Sequence, residues 1–323
     1  MLALIVLFFD ARCAFVTLPH MPTTVRAAFN EFAARLEPTD TQKADASAKH
    51  TGVRDCLNAV LWVDSAFLTG SYGRHTIIRP PNDIDLSVTL DYSKHGTDYY
   101  NSYGSVDKVL DRFHSLLKGC YPYTPIRKDH PAIYLNFATY GFDVIPAFHR
   151  NGGGYMIPSR FGTGWMSTDP TKHAERTTAM NKATDGYFVP LVKMFKSWNR
   201  THYDKLTGFH VEMALVNAWP RINSLVYPYS PEAVKYSSFA QAAAALLPAL
   251  SSKLVYMTPD PAGMSGNIDD YLSSEDRKLT RERLDSAATA AQIALRHEGR
   301  DDHYSAITKW RDIFGDPFPA YSY

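Results

Sequence analysis

The run Gly70-Ser71-Tyr72-Gly73-Arg74-His75-Thr76 is separated by six residues from Asp83-Ile84-Asp85-Leu86, and the two together set a turn suited to phosphate beside a pair of carboxylates. A glycine lets backbone approach a ligand with no Cβ in the way. A helical turn starting at Ser71 would offer backbone N–H groups and a hydroxyl to phosphate oxygens. Asp83, Asp85 and Ser87 alternate with Ile84, Leu86, Val88 and Leu90, and this period of two predicts a strand with an apolar core face and an acidic open face. Two residues along a strand rise about 6.6 Å, so both carboxylates leave the same face and can converge on cations. Hard divalent cations such as Mg²⁺ take oxygen ligands of this kind. Each half alone has a plainer reading: charges on an edge strand discourage pairing with another chain, and Gly-Ser is an ordinary turn. The strand candidate Ala66, Phe67 and Leu68, the Gly-Ser turn and the Asp-x-Asp strand in succession point to metal-assisted phosphoryl chemistry.

A third carboxylate fits the same chemistry. Ile133, Leu135 and Phe137 alternate along another strand candidate, and after Gly141 the run Phe142-Asp143-Val144-Ile145-Pro146 puts a single acid inside an apolar strand. Asp is depleted in strands and rarely buried unpaired, so Asp143 calls for a cation or a hydrogen-bonded partner. The alternative is a structural Asp satisfied by backbone or an arginine.

On these residues the chain resembles the polymerase-β-like nucleotidyltransferases, and more closely their cyclic GMP-AMP synthase-like branch, which makes oligonucleotide second messengers in bacterial anti-phage defence. The shared pattern is Gly70 and Ser71, Thr76 five residues after the serine, Asp83, Asp85 and the later Asp143. Softer similarity lies in Gly154-Tyr155-Met156-Ile157-Pro158, in Trp165 with Asp169-Pro170, in residues 193–198, and in Gly208-Phe209-His210-Val211-Glu212. It covers most of the chain from about Met21 onward. The resemblance implies an α+β fold: a polymerase-β-like nucleotidyltransferase core with a mixed sheet, plus a helical carboxy-terminal lobe. The division expected here is an extension over residues 1–20, helices and core over 21–180, and the lobe over 181–323.

The resemblance also implies two Mg²⁺ ions held by Asp83, Asp85 and Asp143, which bring an acceptor hydroxyl in line with the α-phosphate of a nucleoside triphosphate. Pyrophosphate leaves. One ion lowers the pKa of the hydroxyl while the other neutralises the leaving group, the two lying about 3.5–4 Å apart. Asp143 is the expected ligand at the nucleophile and a candidate acceptor of its proton. Gly70, Ser71, Thr76, Lys193, Lys196 and Phe209 are the expected nucleotide contacts. The product implied, from substrates such as ATP and GTP, is a cyclic di- or trinucleotide that acts through a downstream effector. Two alternatives stay open: transfer of a nucleotide to RNA, protein or a small molecule, and a silent nucleotide-binding scaffold.

These residues need elements to hold them. Pro190 suits the first position of a helix, after which Leu191, Val192, Phe195 and Trp198 recur at helical spacing. Lys193, Lys196 and Arg200 follow a separate stripe, either a solvated face or, beside an acidic triad, contacts for a triphosphate. Phe209 is either a base-stacking aromatic or a core residue. Val25, Phe29, Phe32, Ala33 and Leu36 predict one amphipathic helix and His50, Val53, Leu57, Val60 and Leu61 a second, both expected to pack across the two lobes. Residues 239–247 and 275–295 read as further helices, with no internal repeat or low-complexity linker.

With 323 residues, 45% hydrophobic and 21% charged, the chain can bury a substantial core. Lys plus Arg at 34 against Asp plus Glu at 33 gives a net charge of +1, which offers no global footprint for a long nucleic acid. Cys13, Cys56 and Cys120 are too few and too scattered for a disulfide framework or a structural zinc site, which suits a reducing cytoplasm. Residues 2–9 are apolar but are soon followed by Asp10 and Arg12, and a membrane span needs about 20 apolar residues. A signal peptide fits poorly with a cytoplasmic nucleotide enzyme. The expectation is therefore a start-site extension or a terminal strand, and no membrane partner.

Overall fold

A computed structural model of the chain describes residues 22–61, 63–94, 105–160, 164–222 and 232–322. The expectations for residues 1–20 lie outside the described residues. Two helices lead: α1 (Val25–Leu36), whose first turn is capped by the Thr24 side chain accepting from Ala27 N, and α2 (Asp40–Asn58), which starts on a capping box between Thr39 and Gln42. Then come β1 (Val63–Leu68), the single turn α3 (Gly70–Gly73), β2 (Asp83–Leu90) and α4 (Ser105–Cys120). The strands β3 (Ile126–Asp129), β4 (Ala132–Phe137), β5 (Tyr140–His149), β6 (Tyr155–Pro158) and β7 (Trp165–Thr168) complete a sheet of order β1-β2-β5-β4-β3, with β6 joining β5 to β7.

The sheet is mixed. β2 and β5 run parallel, and the other pairs are antiparallel. Parallel neighbours need a long crossover, which α4 and the β3–β4 hairpin supply between them. The register sets Asp85 directly beside Asp143 and Asp83 beside Gly141. Val109, Leu110, Phe113 and Leu117 of α4, with Val53 and Leu57 of α2, bury the apolar face of β2, where Ile84, Leu86 and Val88 are all but sealed.

The remaining elements are α5 (Pro170–Ala183), α6 (Phe188–His202), α7 (Gly208–Ala218), the short pair β8 (Arg221–Ile222) and β9 (Glu232–Ala233), α8 (Phe239–Lys253), α9 (Ser274–Glu298) and α10 (His303–Phe314). They share a second core in which Phe29 of α1 packs edge-on against Trp310 and Phe318, at 4.9 and 5.1 Å between ring centres. Among the described residues no helix is long and apolar enough to cross a membrane.

Four expectations change. Neither leading helix spans the lobes: α1 joins the helical core through its two phenylalanines, whereas α2 joins the sheet core through Ala46, Val53 and Leu57. Pro190 is the third residue of α6 rather than the first, a position where its missing N–H costs nothing because first-turn N–H groups have no intrahelical acceptor. The helix expected to stop at residue 247 runs through Pro248 to Lys253, packed against its neighbours strongly enough to absorb one lost backbone bond. Cys56 at the end of α2 and Cys120 at the end of α4 form a disulfide, a pairing that a sequence separation of 64 hides and that the packing of the two helices creates.

Candidate active site

The turn after β1 is built around the second carboxylate. Thr69 N donates to Asp85 O at 2.9 Å, which ties the end of β1 to β2, and Gly70 then turns at φ +57°. A Cβ on Gly70 would fall 1.6 Å from Asp85 Oδ2, so only glycine fits against this acid. One helical turn follows, closed by Gly73 N to Thr69 O at 2.9 Å. Ser71 O then accepts from both Thr76 N and Ile77 N, at 2.8 and 3.0 Å, which steers the chain back toward β2. The acidic face of β2 is open only at its start: Asp83 is exposed and Asp85 half-buried, while Ser87 and Thr89 on the same face are covered.

The three acids crowd one another with little relief. Burial pushes Asp85 up to about 6, and the charge of Asp83 adds to it, against partial compensation from Arg74 and Lys196. Asp143 is pushed up to about 7, first by burial and then by Asp85 and Asp83. Desolvation raises Asp83 as well, with Arg200 and Lys196 opposing. Such a set of oxygen donors, short of countercharge, fits a hard divalent cation. Among the described residues no three His, Cys, Asp or Glu side chains converge closely enough to cage an ion by themselves.

A cleft of about 430 Å³ opens beside these acids, lined by Gly70, Ser71, Asp83 and Asp85 on one wall and by Pro170, His173, Gly208 and Phe209 on the other. Phe209 sits in the first turn of α7, which is capped by the Thr207 side chain accepting from His210 N. The Arg74 guanidinium lies over the Phe209 ring at 4.9 Å, and the His173 ring tilts against it at 4.8 Å. Asp143 does not line the cleft but stands beside Asp85 on the next strand.

Thr76, Lys193 and Lys196 lie behind the cleft wall rather than in it, so the expected basic face is not a solvated one. Lys196 Nζ donates to Thr76 O at 3.0 Å and to Thr76 Oγ1 at 2.9 Å, and lies 3.5 Å from Glu212 Oε2. Glu212 is wholly buried and also accepts from Arg74 Nε at 2.9 Å, Thr76 Oγ1 at 2.8 Å and Thr177 Oγ1. Burial alone would raise this carboxyl, but Arg74 and Lys196 hold it below its usual range. Lys193 pairs with Glu37 just past α1, and of the predicted stripe only Arg200 is exposed. The physical reason is that α6 is enclosed nearly all round, so its polar side chains need partners inside the protein.

Sequence reasoning gave no role to Arg74 and Glu212, although both stand in the quoted runs, and missed His173 with Asp260. His173 Nε2 and Asp260 Oδ1 are 2.7 Å apart across 87 positions of sequence, and no local spacing signals such a pair.

Residues 23–181 match the Second Messenger Oligonucleotide or Dinucleotide Synthetase domain. A cyclic AMP-AMP-AMP synthase of an Acinetobacter species is 28% identical over 306 residues, covering 92% of this chain and 86% of the relative. Among solved structures, CdnC of E. coli MS115-1 with ATP superposes with a TM-score of 0.69 at 15% identity, covering 91% of this chain and 99% of that one. The Vibrio cholerae cyclic AMP-GMP synthase DncV gives 0.68 at 11%, covering 91% and 97%. These two show the fold. The match to the synthetase domain spreads over the turn and all three acids, and the chain is similar along most of its length to a cyclic oligonucleotide synthase.

Proposed function

We propose that the protein joins nucleoside triphosphates, without a template, into a cyclic di- or trinucleotide that signals through a separate effector in anti-phage defence. The observation that carries this reading is the set Asp83, Asp85 and Asp143, short of countercharge on one sheet face, beside a turn in which only a glycine fits against Asp85 and a cleft of nucleotide size. Homologues of the chain are cyclic oligonucleotide synthases.

In this mechanism Asp83 and Asp85, with Asp143 as a third ligand, would hold divalent cations. Such ions, taken to be Mg²⁺ and two in number, would supply charge neutralisation for the pyrophosphate and acidity to the attacking hydroxyl. Gly70 and Ser71 offer backbone N–H and hydroxyl groups to the triphosphate. Phe209 supports the base, with Arg74 fixing one face of its ring. Lys196 acts from behind: it holds Thr76, and so the end of the phosphate turn, in register with α6. Asp143, beside Asp85 on the next strand, is the candidate to receive the hydroxyl proton.

The test is incubation of the protein with each labelled triphosphate and Mg²⁺, followed by phosphatase treatment and mass spectrometry. Phosphatase-resistant cyclic products with release of pyrophosphate are expected. Label found only on RNA, protein or a small acceptor would replace this reading with single nucleotide transfer.

A further inference from the structure

The pair His173–Asp260 has no part in the chemistry above, yet it is built with care at the cleft wall. Asp260 lies in the loop between α8 and α9 and is almost fully buried. Its Oδ1 accepts from Ala262 N at 3.0 Å and faces His173 Nε2 at 2.7 Å. Its Oδ2 accepts from Met264 N at 3.1 Å and from Ser265 N and Oγ, each at 3.0 Å. The imidazole and these donors together hold the carboxyl well below its usual range despite burial, so it is an acceptor only. Nε2 of His173 must therefore carry a hydrogen, and in the neutral form of an imidazole so held Nδ1 is the acceptor. Among the described residues Nδ1 has no protein partner, and it is not sealed from solvent. The residue lines the cleft, and its ring flanks Phe209.

We infer that His173 is a specificity-determining residue that reads the edge of the base beside Phe209, accepting a hydrogen bond from an exocyclic amine through Nδ1, and that Asp260 fixes the tautomer that makes this possible. The ligand class is an adenine nucleotide. The adenine N6 amine donates where the guanine O6 can only accept, so guanine in the same pose sets two lone pairs against each other. The same loop steadies the opposite end of this wall: the Tyr271 hydroxyl accepts from Thr207 N at 2.8 Å, at the start of the helix that carries Phe209.

This inference rests on the proposed nucleotidyl transfer, and the test separates the two. His173→Phe keeps a ring against Phe209 and leaves Asp260 with its four loop donors. In competition between ATP and GTP its preference for ATP should fall about tenfold to a hundredfold, through KM for ATP, with kcat nearly unchanged. Asp260→Asn gives the sharper readout. An amide nitrogen at the Oδ2 position would meet three donors, so the amide turns its NH₂ toward Oδ1 and donates to Nε2. The hydrogen of His173 then moves to Nδ1, and the preference should swing toward GTP, which loss of packing alone would not produce. An unchanged ATP to GTP ratio in His173→Phe, with unfolding temperature preserved, overturns the inference while product formation upholds the function. If wild-type protein forms no product, the function fails, and calorimetric binding of ATP and GTP with Ca²⁺ still decides: equal affinities for the two overturn the inference.

Discussion

Two clusters of charge flank the turn at residues 70–76, and they are built on opposite principles. Ahead of it, Asp83, Asp85 and Asp143 repel one another and gain only partial relief from Arg74, Lys196 and Arg200. Behind it, Glu212 is deeper than any of them, yet it is matched by two cations and two hydroxyls from the turn, α5 and α6. The first cluster leaves its charge largely unmatched by the protein, and the second is matched within it. A buried carboxylate is thus no sign of a metal site in itself; what separates the two is whether the protein supplies the countercharge.

Substitutions in the two clusters should therefore fail in opposite ways. Asp83→Asn with Asp85→Asn should cut Mg²⁺-dependent turnover by about 10³-fold or more, because several kcal/mol of charge stabilisation are lost. Thermal unfolding without metal should stay level or rise, since two mutually repelling charges are gone. A fall in unfolding temperature would show that the acids hold the fold instead. Glu212→Gln should do the reverse and cost about 3–5 kcal/mol of stability by leaving Arg74 and Lys196 buried without their counterion. Denaturant unfolding measures it, and a change below about 1 kcal/mol would show that the network relaxes without harm.

This contrast also marks what could be read in advance. The acidic cluster was legible because each member sits in a short run whose alternation declares a strand, and β2, β4 and β5 lie over the residues so picked out. The network at Glu212 was hidden because it joins Arg74, Thr76, Thr177, Lys196 and Glu212 from four separate stretches, and only packing brings them together. A basic stripe looks the same in sequence whether it faces solvent or, as here, the interior. The disulfide and the pair His173–Asp260 were out of reach for the same reason, being products of how elements meet.

Acidity offers a finer probe of the comparison. A carboxylate whose folded pKa lies above its unfolded value of about 3.9 binds its proton more tightly when folded, so its favourable contribution is full below that value and is lost as pH rises through the folded pKa. For Asp85 and Asp143 the loss falls between about pH 4 and 7. His210, buried and pushed down to about 4, works in the opposite sense: its neutral form is favoured when folded, so stability is lost as pH falls from about 6.5 toward 4. Mg²⁺ should stabilise the wild type more at pH 7.5 than at pH 5, whereas the Asp83→Asn and Asp85→Asn double variant should lose most of this difference. Equal stabilisation at both pH values would deny that the acids are the cation's ligands.

The smallest expected effect concerns Lys193, which lies three positions from Lys196 on α6. Lys196 is tied to the phosphate turn through Thr76, whereas Lys193 reaches away to Glu37, a partner that is half-exposed beyond the end of α1. A pair open to solvent on one side contributes at most about 1 kcal/mol. Lys193→Gln should therefore change stability by no more than that and leave KM for the triphosphate within about twofold. A tenfold rise in KM would place Lys193 at the substrate, as its sequence position first suggested, and would mean that α6 turns toward the cleft when nucleotide binds.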